Sequence, residues 1–129
     1  MSKILFITTD EQRFDALGCN GGTIAKTPRL DSLAANGLNY HRAYVNNVVC
    51  MPSRATMVTG QYPSTHGVIA NGISLPLEAP CIADTFKNDA GFSTALIGKS
   101  HLQPVAGADA DVPAPHNWER TAATRGDIG

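Results

Sequence analysis

Two near-continuous runs of apolar and β-branched residues limit what this chain can fold into. "KILFITT" (3–9) and "FSTALIG" (92–98) both read as strands buried on two faces. The segments between them carry helical punctuation. "TPRLDSLAANG" (27–37) predicts a helix with Thr27 as N-cap, Pro28 at the first helical position, Leu30, Leu33 and Ala34 on one face, and Gly37 as the stop. "PSRATMVTG" (52–60) predicts a short helix entered through Pro52 and closed by Gly60, and "IADTFKNDAG" (82–91) predicts another. "LNYHRAYV" (38–45) alternates and reads as a further strand. Strands separated by helices imply an α/β fold with a mainly parallel sheet. An open parallel sheet wants more strands than these, so the chain reads as the front part of something larger.

Composition narrows the function classes. A net charge of −1 argues against a general nucleic-acid or anionic-membrane binder, because such partners need a broad basic surface. No apolar run approaches the roughly 20 residues of a membrane span. The N-terminal run ends in acids without a small-residue cleavage site, so it reads as a strand rather than a signal peptide. Three cysteines, Cys19, Cys50 and Cys81, make a disulfide framework unexpected and point to a reducing, cytoplasmic location. "QPVAGADADVPAPH" (103–116) is rich in Pro, Ala, Gly and Asp. Residues 1–102 therefore read as the organised part of one domain and 103–129 as its loop-rich continuation, with Trp118 a packing residue.

The chemistry concentrates at "VVCMPSRATMVTG" (48–60). Cys50 is expected just before a helix whose first turn holds Pro52, Ser53 and Arg54. The N–H groups of that turn and the helix dipole favour negative charge beside Cys50. Arg54, four residues on, can share one side of the helix entrance and clamp a tetrahedral oxyanion. After "KILFITT", Asp10 and Glu11 are hard oxygen ligands suited to Ca²⁺ or a similar divalent ion, provided that the chain has turned out of the strand. Lys99 and His101 end the second run. Two apart in extended chain, they face one way, one able to neutralise an oxyanion and the other to move a proton near neutral pH. Taken singly, each has a bland alternative: a packed cysteine, a solvated acidic loop, a strand-end lysine in water.

Cys-x-Pro-Ser-Arg with "ATMVTG" resembles the signature of the sulfatase family, in which the cysteine is converted after translation to formylglycine. "DEQ" (10–12), "GQYPSTHGV" (60–68) and "GKSH" (98–101) resemble the family's other segments, in the same order. Gln61 stands where many members carry Arg, Glu11 where a second Asp is usual, and Ser100 where Trp is frequent.

The resemblance implies an alkaline-phosphatase-like α/β sandwich, a large sheet flanked by helices, of which this chain is the N-terminal portion, with further metal ligands in later sequence. It implies catalytic roles for Cys50, Arg54, Lys99 and His101, metal ligation by Asp10, Glu11 and Cys50, and a substrate contact from Asn71. His66 and Asp15 then take structural roles. The implied cofactors are formylglycine from Cys50 and a divalent metal, Ca²⁺ first, with Mn²⁺ or Mg²⁺ as alternatives. The implied partners are a small-molecule sulfate ester and a formylglycine-generating enzyme. Alone, the chain is expected to bind metal poorly and turn over little. A phosphonate monoester or phosphodiester hydrolase is the alternative with the same nucleophile. An inactive binding or structural module, or a thiol enzyme using Cys50 with His101, are the alternatives from other classes.

Overall fold

The computed structural model describes residues 3–103. The reading of 103–129 as loop, apart from Gln103, lies outside the described residues, as do His116 and Trp118. The chain divides into two compact units, with the boundary between Tyr44 and Val45.

The first unit holds two 3₁₀ turns, Phe14–Ala16 and Gly18–Asn20, and helix α1, Pro28–Asn36. Thr27 is the N-cap of α1 as predicted, but its hydroxyl does not cap the helix. It accepts the Gly18 N–H at 2.8 Å and donates to Asp31 Oδ1 at 2.9 Å, while the same carboxylate oxygen accepts the Cys19 N–H at 2.7 Å. Thr27 and Asp31 thus satisfy backbone donors of the preceding turn, which a turn of only three residues leaves unpaired. The Phe14 and His41 rings meet in a T-shaped arrangement with centroids 6.1 Å apart. Leu30 and Leu33, expected on one face of the helix, are exposed, and α1 buries no residue among those described.

The second unit is built on α2 (Cys50–Thr59), α3 (Pro63–His66) and α4 (Ile82–Asn88), with α3 and α4 both packed against α2. Met51, Ala55, Val68, Leu75 and Leu102 form its buried cluster, with Val58 and Ala79 against the rim. Burying each of the larger side chains contributes about 1.5–3 kcal/mol. The Leu75 N–H donates to Leu102 O at 2.9 Å, and the buried Gln103 Nε2 donates to Leu75 O at 3.1 Å, so the segment after Lys99 is pinned beneath α2. Gly60 closes α2 in the left-handed region at φ 69°, its N–H on Thr56 O. α4 stops at Asn88, three residues short of Gly91, and the Phe86 and Phe92 rings meet edge to face at 5.3 Å.

No strand forms among the described residues, which corrects the strands expected at 3–9, 38–45 and 92–98. The physical reason is pairing. A strand exists as a ladder with a neighbour, and no described segment supplies one to these runs. Ile4, Leu5, Phe6 and Ile7 are 62% to 83% exposed, so both faces of the first run are open. The mainly parallel sheet of the expected α/β architecture is therefore not formed within residues 3–103.

Candidate active site

α2 begins two residues earlier than its sequence suggests. Cys50 is its first residue, half-buried, and Pro52 stands third. Proline is tolerated there because the first N–H groups of a helix have no intrahelical acceptor. The carbonyl four residues back, with which a proline ring inside a helix would clash, belongs to Val48, before the helix begins. The first helical bond runs from the Ser53 N–H to Val49 O at 3.1 Å. Val49, the N-cap, has no side-chain oxygen with which to cap the turn; its own N–H is held by Asn47 Oδ1 at 2.8 Å.

The expected row of open N–H donors is therefore shorter than the sequence implies. Pro52 has none, Ser53 is bonded to Val49, and the Met51 N–H donates to Asn71 Oδ1 at 3.0 Å. Cys50 is the first-turn residue whose N–H these contacts leave uncommitted. The helix dipole still favours an anion there.

Arg54 lies one turn along α2 from Cys50, and its Nη1 donates to Lys99 O at 2.9 Å. This bond brings the backbone of "GKSH" to the entrance of the helix. The segment is not extended as predicted: Gly98 has φ 94° and His101 φ 50°, so the two-residue alternation does not govern Lys99 and His101. His101 is half-buried, with its Nδ1 atom shielded from solvent.

His66 is buried at the end of α3. Its Nδ1 accepts the Val68 N–H at 3.1 Å, which leaves the proton on Nε2, 3.1 Å from Thr56 Oγ1 on α2. Burial holds the ring's pKa below the usual histidine value, against a smaller opposing effect of its own backbone. This histidine joins α3 to α2.

Asp10 and Glu11 belong to the first unit, where Glu11 takes φ 52°. The chain has turned at that point, as ligation by both adjacent carboxylates requires. Two hard oxygen donors fit part of the shell of a Ca²⁺-like ion, which takes 6–8. Among the described residues no three His, Cys, Asp or Glu side chains gather to hold a metal. Asp15 pairs with Arg13 across 2.6 Å at the surface. The sequence reading missed the grip on Met51; the Asn71–Gly72 turn dipeptide was the available signal.

The model of the Sulfatase family matches residues 2–114. The chain is similar to an ulvan-active sulfatase of Formosa agariphila, 44% identical over 99 residues, which cover 77% of this chain and 19% of that protein. It is also similar to an arylsulfatase of Clostridium perfringens, at 39% identity over 78% of this chain and 21% of that protein. Human arylsulfatase A matches at 36% identity over 77% and 20%. Among solved structures, the protein yidJ of Bacteroides fragilis, assigned as a sulfatase, aligns with a TM-score of 0.69 at 36% identity, covering 80% of this chain and 24% of that one. The chain thus spans about a fifth of the length of the curated relatives it matches.

Proposed function

This chain belongs to the sulfatase family, and we propose that the protein containing it hydrolyses sulfate esters with a nucleophile made from Cys50. The observation carrying this reading is the placement of Cys50 as the first residue of α2, with Arg54 one turn away and bonded to the backbone of Lys99. The alkaline-phosphatase-like sandwich is the architecture that this reading adopts, supported by the likeness to the yidJ structure.

A formylglycine-generating enzyme would oxidise Cys50 with dioxygen in this proposal, and the hydrated aldehyde would supply the oxygen that attacks sulfur while the ester S–O bond breaks and the alcohol leaves. The positive charge of Arg54 stands beside the sulfate oxygens while its bond to Lys99 O keeps "GKSH" at the helix entrance. The Lys99 ammonium neutralises charge as it develops on the transferring group. His101 takes the proton whose removal releases sulfate. Asp10 and Glu11 are the residues that would hold a divalent ion, Ca²⁺ by their hard oxygens; the chemistry such an ion would supply is polarisation of a hydroxyl.

The test is the mass of the tryptic peptide Ala43–Arg54 from the protein as its own host makes it. Formylglycine at position 50, with loss of sulfatase activity in Cys50→Ala, supports the reading. An intact thiol in active protein refutes it. Rates on a sulfate and on a phosphonate monoester then separate the sulfatase from the phosphonate monoester hydrolase, which "DEQ" also resembles.

A further inference from the structure

We infer that Asn71 is a positioning residue for the nucleophile, holding the first turn of α2 so that Cys50 is presented in one orientation. The inference rests on the reading that Cys50 carries the nucleophile. Helix N-termini are ordinarily capped by the residue immediately before them, whose side-chain oxygen accepts the N–H of the second or third helical residue. Val49 occupies that place and has no such oxygen. Asn71, twenty residues beyond Met51, performs the task instead, its Oδ1 accepting the N–H of Met51, the second residue of α2, at 3.0 Å.

A second contact closes the grip. The Gly72 N–H approaches Met51 Sδ at 3.1 Å, and the Met51 side chain is 1% exposed in the core beneath. Met51 is therefore held by its backbone, its sulfur and its packing together, and Cys50 is covalently next to it. Gly72 takes φ 93° with no atom within 4 Å of where a Cβ would stand. The turn thus requires glycine for its backbone conformation rather than for space.

The experiment uses the intact protein from its own host, with Asn71→Ala and Asn71→Asp. Three readouts are taken: the fraction of formylglycine at position 50, kcat and KM per formylglycine on an aryl sulfate, and amide exchange of the peptide containing Met51. Losing one hydrogen bond lowers kcat in Asn71→Ala about fivefold to tenfold with KM within about twofold. Asn71→Asp keeps the acceptor, so kcat is restored to within about threefold and the exchange returns to wild-type rates. A rise of KM with kcat unchanged, or an Asn71→Asp with KM raised more than about tenfold by repulsion of the sulfate, makes Asn71 a substrate contact and overturns the inference. If Asn71→Ala does not fold, the Asn71→Asp pattern decides alone. If wild-type Cys50 carries no formylglycine, the underlying reading fails separately. Amide exchange then decides the grip: unchanged exchange at Met51 in Asn71→Ala overturns it.

Discussion

Replacing His66 by Phe tests how α3 is fastened to the helix that bears Cys50. The ring keeps its size while both nitrogens are lost. Val68, fully buried, is left with an N–H that no longer has Nδ1 to meet it, at a cost of about 1–3 kcal/mol. Thr56 loses its partner on α3, for about 0.5–1.5 kcal/mol more. The variant is therefore about 2–4 kcal/mol less stable than the wild type at pH 7.5. Burial depresses the folded pKa of His66 below the unfolded value of about 6.5. As pH falls, the unfolded chain takes up the proton first, so the stability contributed by the neutral ring is present above about pH 6.5 and is lost below it. The limiting slope is about 1.4 kcal/mol per pH unit. Urea unfolding of the intact protein and of His66→Phe from pH 5 to 8 gives the difference curve, in which other titrating groups cancel. The gap is expected to narrow as the pH falls below about 6.5. A difference curve flat across this range, or one widening toward acid, refutes the assignment of a neutral, accepting Nδ1.

Leu75→Ala empties the centre of the cluster beneath α2 and is expected to destabilise by about 2–5 kcal/mol in the same unfolding assay. Gly22→Ala places a methyl group 2.6 Å from Asp15 O and 2.8 Å from Leu17 O, backbone atoms that cannot swing aside. The expected loss is about 1–3 kcal/mol, read by thermal unfolding. Chelation of divalent ions is expected to abolish aryl-sulfate hydrolysis by the intact protein, and Ca²⁺ to restore it; Asp10→Asn should need more Ca²⁺ for half-recovery.

The helices were legible wherever a local signal sufficed. Thr27, Pro28 and Gly37 mark both ends of α1, and Gly60 marks the end of α2, because caps and left-handed residues act over a few positions. The start of α2 was misread for an instructive reason. Pro52 reads as a first helical residue, yet any of the first positions dispenses with the N–H equally well. The strands were legible as composition and not as structure, because apolar run and ladder are separate facts and the second needs a neighbour. At the site, Cys50 and Arg54 follow from spacing along one helix. The bond from Arg54 to Lys99 O spans 45 residues and the cap from Asn71 to Met51 spans 20, distances over which no local pattern reports.

His101 gives the site a particular vulnerability to improvement. Its backbone sits at φ 50°, a region that costs a side-chain-bearing residue about 1–2 kcal/mol and that glycine adopts without this steric cost. A stabilisation campaign choosing substitutions by folding free energy alone would select His101→Gly early, and the more durable protein would have lost its imidazole. If His101 moves the proton as proposed, the left-handed backbone at this position marks where selection for turnover and selection for robustness pull in opposite directions.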